Sequence, residues 1–286
     1  MNANILLIPF NENNILVTSN HIVNIFKKFN ITIVVNNLSH FQEAFTHKSY
    51  IKKEYFNIHS SILKQEFDKL INSKIKVLEL QDSSNERLEF LGDTFIKCVI
   101  AKYLFNRYYE EDEGFMTRLK TKLEDTKSLA KYARRLGLEQ YILISKQIEE
   151  NNGRNADKLL EDTFESFIGA VALDQGYETC KDIMHILLET EIDYAEILYK
   201  DTNYKDRLLR FYHSNKWSHP EYKLIKEEII NNKKMYTMGV TNFDGTIITQ
   251  SVDTSKKRAE QKACALALIK FNQMSEDQME DIDIND

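Results

Sequence analysis

The stretch that decides the fold is Asn85-Glu86-Arg87-Leu88-Glu89-Phe90-Leu91-Gly92-Asp93. It opens a run, continued by Phe95, Ile96, Val99, Ile100, Tyr103 and Leu104, that is apolar enough to form a buried helix. Glu86, Glu89 and Asp93 stand in it at i, i+3 and i+7. At 3.6 residues per turn they share one face, within about 60° of one another. Like charges at such spacing weaken a helix by about 0.2–0.5 kcal/mol per pair, and burial adds to the cost because desolvation opposes ionisation. A divalent cation removes both penalties.

A second stretch answers the first. In Leu159-Leu160-Glu161-Asp162-Thr163-Phe164-Glu165-Ser166-Phe167-Ile168-Gly169-Ala170-Val171, Asp162 and Glu165 are again i and i+3 in an apolar helix. If the two helices pack side by side, Glu89, Asp93, Asp162 and Glu165 converge on one point. An all-oxygen donor set suits Mg²⁺ or Mn²⁺ rather than zinc. Two solvated acidic faces would not interleave with Leu88, Phe90, Leu91, Phe164 and Phe167.

Working outward, 286 residues suit two domains, and 42% hydrophobic residues supply real cores. Cys98, Cys180 and Cys264 each lie within a helical pattern and form no CxxC pair, so they read as small core residues in a reducing compartment. No apolar run approaches the ~18 residues of a membrane span, and the N-terminus lacks the features of a signal peptide. The protein is expected in the cytoplasm, with the nucleus or a viral factory as alternatives, and without a membrane partner. The net charge of −6 is unevenly spread. Residues 204–271 hold thirteen Lys/Arg against seven Asp/Glu, whereas Asn272–Asp286 holds six acids and no base.

Residues 1–36 are predicted as an N-terminal extension, a small accessory domain with short strands over Asn4–Phe10 and Ile15–Ser19 and a helix over His21–Phe29. Leu38 to about His47 reads as a helix closed by Phe45-Thr46-His47-Lys48-Ser49-Tyr50. Helical periodicity then runs over Ser61–Leu80, and Asp82-Ser83-Ser84-Asn85 supplies turn and N-cap residues. Further helices are predicted over Phe115–Leu123, Thr126–Leu136 (with Arg134, Arg135 and then Gly137 as stop signals) and Tyr177–Leu198. Glu113, just before Gly114, reads either as a helix N-terminal charge or as a residue with a role in the site. After the linker Lys200–Asn203 the pattern changes. A helix over Tyr204–Asn215, strands over Glu221–Ile229, Lys234–Asn242 and Thr246–Asp253, and a helix over Thr254–Phe271 give an α-β-β-β-α order. The turn Asn242-Phe243-Asp244-Gly245 joins the last two strands. Residues 272–286 read as a disordered acidic tail.

ERLEFLGD, followed some seventy residues later by EDTFESFIGAVALD, resembles the ribonuclease III family, divalent-metal endonucleases specific for double-stranded RNA. FTHKSY is similar to that family's opening motif. The α-β-β-β-α segment, with Lys256-Lys257-Arg258-Ala259 opening its last helix, resembles the double-stranded RNA-binding domain. The resemblance implies a mixed fold: an all-α nuclease domain over 37–199, then a small α+β RNA-binding domain over 204–271. It further implies Glu89, Asp93, Asp162 and Glu165 as metal ligands, with Asp93 and Glu165 the catalytic pair, Mg²⁺ as cofactor and Mn²⁺ as substitute. Products would carry a 5′-phosphate and a 3′-hydroxyl with short 3′ overhangs, made by a homodimer into whose interface Phe90 packs. Double-stranded RNA would meet Lys256, Lys257, Lys205, Lys233 and Lys234. His47 and Lys48 either contact RNA or a partner subunit, or close a packed helix end. Three features depart from the family: 34 residues stand between Tyr50 and Asn85 where bacterial members have a short loop, Asp206-Arg207-Leu208-Leu209-Arg210 replaces the Gln/Glu pair of the RNA-binding domain's first helix, and Asn231-Asn232-Lys233-Lys234 replaces a Gly-Pro-x-His loop. A protein that binds and sequesters duplex RNA without cutting it is the alternative, one with no need for four clustered acids.

Overall fold

The structure is a computed structural model that describes residues 9–55, 60–194, 203–230 and 233–275. The chain divides into two units, Met1–Asp193 and Tyr194–Asp286. The first is helical: α1 (Ser19–Lys27), α2 (Leu38–Ala44), α3 (Ser60–Asn72), α4 (Glu86–Arg107), α5 (Glu113–Leu123), α6 (Thr126–Leu136), α7 (Lys146–Glu150), α8 (Asp157–Gln175) and α9 (Tyr177–Thr190). Helix α8 is the axis of this unit. Its residues from Thr163 to Val171 are buried all round, as its unbroken apolar run requires, and α2, α4, α6 and α9 pack against it. Gly137 ends α6 in the left-handed conformation that glycine adopts without steric cost.

The N-terminal segment is not a separate body. Phe26 of α1 packs on Phe167 with ring centroids 5.8 Å apart, and Ile22 and Ile25 are buried beside it. The buried amides of Asn11 and Asn14 donate to the Ile144 carbonyl, and the Asp174 carboxylate takes the N–H groups of Asn36 and Asn37. No strand forms over Ile15–Ser19, because Thr18 caps α1 and the chain turns helical there. Most of the other expected strand, Asn4–Ile8, lies outside the described residues. The periodicity over Ser61–Leu80 also resolves differently. Helix α3 stops at Asn72, Lys74 takes a positive φ, and the chain returns extended to form a bridge between Ile51 and Gln81. Val77 and Leu80 thus reach the satellite core around Tyr50 and Phe10. Helix α9 stops at Thr190, with Glu191 as its C-cap, short of the expected Leu198. Residues 195–202, the Asn231-Asn232 turn and the acidic tail from Glu276 lie outside the described residues.

The second unit is an antiparallel sheet in the order β1 (Tyr222–Ile230), β2 (Lys233–Thr241), β3 (Ile247–Asp253), covered by α10 (Tyr204–Ser214) and α11 (Lys256–Lys270). Tyr222 pairs with Val240 and Gly239 with Gln250. Tyr204, Leu208, Tyr212, Val240, Ala263, Cys264 and Leu268 form the core between sheet and helices. The β2–β3 turn forms as its sequence predicts, with the Gly245 N–H donating to Asn242 and Gly245 at φ 84.

Candidate metal centre

Helices α4 and α8 cross almost backbone to backbone, and two glycines permit it. A Cβ on Gly92 would lie 1.7 Å from the Glu165 carbonyl oxygen, and one on Gly169 would lie 2.2 Å from the Leu88 carbonyl oxygen. This approach brings the acids of both helices into one cleft of about 620 Å³, whose lining includes His47, Lys48, Glu86, Phe90 and Lys158 besides the four acids. Carboxylate oxygens of Glu89, Asp162 and Glu165 all lie within 4.8 Å of one another.

The fourth acid, Asp93, faces the same cleft, but its carboxylate is bound to Lys97 Nζ at 2.7 Å and is not one of the converging three. Lys158 does the same on the other helix, 2.9 Å from Asp162 Oδ1 and 3.2 Å from Glu161 Oε2. Partial burial works against the Lys158 ammonium, yet its contacts with Asp162 and Glu161 more than offset this and hold its proton above the ordinary lysine range. Two ammonium groups therefore partly balance the acid cluster. Both are visible in the sequence as i, i+4 partners, Lys97 after Asp93 and Lys158 before Asp162, a signal the carboxylate pattern overshadows.

Glu165 is 7% exposed. Desolvation, followed by the charges of Asp93, Glu161 and Glu89, pushes its carboxyl up to about 8. Burial and the Asp162 charge raise Glu89 as well. A buried carboxyl that resists ionisation beside two others is what a hard divalent cation relieves, so the donor set fits Mg²⁺ or Mn²⁺. Asn85 stands at the N-cap of α4 with its backbone already helical and its side chain not capping. Instead its N–H donates to the Thr46 carbonyl and its amide reaches Ser166 Oγ at 3.5 Å, while the Ser166 hydroxyl donates to the Ala44 carbonyl. These bonds tie the FTHKSY segment to both acidic helices. His47 closes the segment at the cleft: Ser49 donates both its N–H and its hydroxyl to Nδ1, which leaves the ring proton on Nε2. Lys48 reaches Glu86 at 3.8 Å. Glu113 begins α5 and accepts the Thr117 hydroxyl, as a helix N-terminal charge does.

Phe90 is 79% exposed beside the acids, so it is not a core aromatic. In the second unit Lys256 and Lys257 open α11 with exposed side chains, and Lys256 and Lys234 both lie over the Tyr236 ring, at 5.2 and 5.4 Å. Lys233 is exposed, but Lys234 is paired with Glu227 and Arg210 with Asp206. Lys205 departs from expectation. It turns inward over the Tyr222 ring at 4.0 Å and binds Glu260 at 2.6 Å, joining α10 to α11 as a packing residue.

The sequence pattern of the family described as Ribonuclease-III-like matches residues 38–191. The chain belongs to the ribonuclease III family. The Double-stranded RNA binding motif matches residues 204–270. Among relatives of this ribonuclease III chain, the probable ribonuclease 3 of Acanthamoeba polyphaga mimivirus is 38% identical over 256 residues, 89% of this chain and 46% of that protein. The chain thus spans about half the length of that relative. Ribonuclease 3 of Campylobacter concisus (strain 13826) is 34% identical over 221 residues, covering 72% of this chain and 97% of that one. The solved nuclease domain of Campylobacter jejuni ribonuclease III, described for flexibility in its dimer-forming region, is 29% identical, covers 60% of this chain and 99% of that one, and has a TM-score of 0.46. Among the described residues no helix is long and apolar enough to cross a membrane.

Proposed function

We propose that this ribonuclease III chain is a metal-dependent endoribonuclease that cuts double-stranded RNA as a homodimer. Its products would carry a 5′-phosphate, a 3′-hydroxyl and short 3′ overhangs. The observation that carries the reading is the convergence of the Glu89, Asp162 and Glu165 oxygens within 4.8 Å between two helices held at backbone contact. A sequestering protein has no use for an arrangement that opposes its own ionisation.

Glu89, Asp162 and Glu165 would hold Mg²⁺ or Mn²⁺, with Asp93 joining them on release from Lys97. When bound, the ion supplies positive charge against the phosphoryl oxygens and eases deprotonation of the attacking water. Phosphodiester cleavage breaks the bond to the 3′-oxygen, which leaves with a proton. The chain's own part is to orient the acids on rigid helices and to give up the Glu165 proton as the ion enters. Asp93 and Glu165 are the pair whose loss should stop cutting.

A labelled long duplex should be cut to short duplexes in Mg²⁺ and left intact in EDTA. Glu165→Gln should lower the rate at least about a thousandfold, since a charge ligand worth several kcal/mol is removed. Tight binding without cutting, in either Mg²⁺ or Mn²⁺, would replace this reading with the sequestering one.

Duplex binding is assigned to the face carrying Lys256, Lys257 and Lys233, where ammonium groups and the N-terminus of α11 favour phosphate. Lys256→Ala with Lys257→Ala should weaken duplex affinity about uniformly across sequences and reduce the slope of log affinity against log salt by roughly two. An unchanged slope would move the RNA face elsewhere. For the dimer, the exposed Phe90 ring supplies an apolar anchor next to the cleft. Sedimentation at micromolar concentration should show a dimer that Phe90→Ala dissociates at least about tenfold more readily; a wild-type monomer would refute the assignment.

A further inference from the structure

In the second unit two histidines six residues apart in sequence meet edge to edge. His213 lies in the last turn of α10, and His219 lies in the loop before β1. Their Nε2 atoms are 3.0 Å apart and their ring centroids 4.7 Å apart. Two imidazoles bound to one tetrahedral ion at 2.0–2.1 Å would place these nitrogens about 3.3 Å apart. The observed separation is within a few tenths of an ångström of that. We infer that His213 and His219 form a binding site for a late first-row divalent cation such as Zn²⁺ or Cu²⁺, separate from the acid cluster.

Three features prepare the pair. The joining loop is rigid: Trp217 packs edge-on against Phe211 and Tyr212 and also contacts Phe243 and Phe271, its N–H donates to the Tyr212 carbonyl, and Lys216 takes the turn at φ 57. Ser218 adds a hydrogen bond to the Phe243 carbonyl across the β2–β3 turn. Little order is therefore left to impose when an ion binds. The pair also sits at the C-terminal end of an eleven-residue helix, where the backbone carbonyls favour positive charge. Finally, both partners are imidazole-nitrogen donors, a ligand type that selects borderline-soft ions over Mg²⁺. Among the described residues no third His, Cys, Asp or Glu joins them in a cluster, so water or a group from another molecule completes the coordination. The site lies just before the start of β1, whereas Lys233 and the β1–β2 turn lie at the far end of that nine-residue strand. An ion here leaves the proposed RNA face open.

The chain carries its own reporter, because Trp217 is the one tryptophan and lies in the loop between the two histidines. Copper titration of the full-length protein at pH 7.5 should quench its emission saturably at one equivalent, reversibly with EDTA, and Mg²⁺ should not quench it. Excess Zn²⁺ should compete and raise the copper midpoint at least tenfold. His213→Gln or His219→Gln should raise the midpoint at least tenfold, and the double variant should lose the saturable phase. An unchanged emission maximum without copper checks that the loop stays packed. Quenching that is linear in copper, or that persists at the same midpoint in the double variant, would overturn the assignment. Duplex binding and cleavage by the double variant should match the wild type, so the outcome does not depend on the nuclease reading.

Discussion

Gly92→Ala should cost this protein its nuclease activity, at least a hundredfold in rate, while its RNA-binding unit stays folded. Two opposing effects meet at this position. Within an isolated helix, alanine is better than glycine by about 1 kcal/mol, so propensity alone favours the change. Here the added Cβ would lie 1.7 Å from the Glu165 carbonyl oxygen and 2.7 Å from both the Glu165 carbonyl carbon and the Gly169 nitrogen. These are backbone atoms and cannot turn aside, so α4 and α8 must separate by more than an ångström. Overpacking of this kind typically costs about 1–3 kcal/mol, and displacing catalytic groups by about 1 Å costs on the order of a hundredfold in rate. The packing term wins because the carboxylates ride on the same two turns that collide. Gly114→Ala is the control. Its Cβ would meet only the Arg118 guanidinium at 3.3 Å and the Asp112 carboxylate at 3.4 Å, both side-chain tips, and activity should change less than about twofold. A Gly92→Ala protein that melts higher than wild type and cuts at its normal rate would show that the two helices are not in backbone contact.

Much of this site is legible in the one-dimensional pattern because helical periodicity is a local property. Glu89 and Asp93, like Asp162 and Glu165, are placed on one face by spacing alone, and the surrounding Leu and Phe residues show which face is buried. How close the faces come is not local, and it rests on Gly92 and Gly169. Both stand within the acidic motifs, but nothing along the chain marks them as a contact between helices. The pairing of Lys97 with Asp93 and of Lys158 with Asp162 is by contrast local, an i, i+4 spacing on each helix, and is passed over only because the carboxylate pattern dominates the reading. The inward packing of Lys205 is not legible, because a lysine on a helix reads as solvated, whereas here its stem crosses Tyr222 on the way to Glu260. The N-terminal segment misleads in the opposite sense. Its Ile, Val and Asn content matches short strands, but Asn11 and Asn14 bind the backbone at Ile144, and Phe26 fills a gap beside Phe167, so tertiary partners decide its form.

Without metal, the nuclease unit should lose stability as the pH rises from about 5 to 8. Glu165 in the folded protein holds its proton up to about 8, whereas the ordinary glutamate value is 4.5, and Glu89 is shifted in the same direction. Between these limits the folded state binds more protons than the unfolded state, and stability then falls with rising pH. The contribution is fully present below the unfolded value and is lost as the pH climbs through the folded one. At about 1.4 kcal/mol per unit, Glu165 accounts for a few kcal/mol, which corresponds to roughly 5–10 °C in the melting temperature of a unit this size. Glu165→Gln cannot ionise, so in EDTA it should flatten this decline and melt above wild type at pH 8. Mg²⁺ should do the reverse of raising the pH. It binds the ionised carboxylates, restores wild-type stability at pH 8, leaves Glu165→Gln nearly unaffected, and releases protons measurable by calorimetry in buffers of different ionisation enthalpy. A wild-type melting temperature that is flat between pH 5 and 8 in EDTA, or one that falls equally in Glu165→Gln, would mean the acids are not packed closely enough to oppose one another. The metal would then lose its electrostatic reason to bind between α4 and α8.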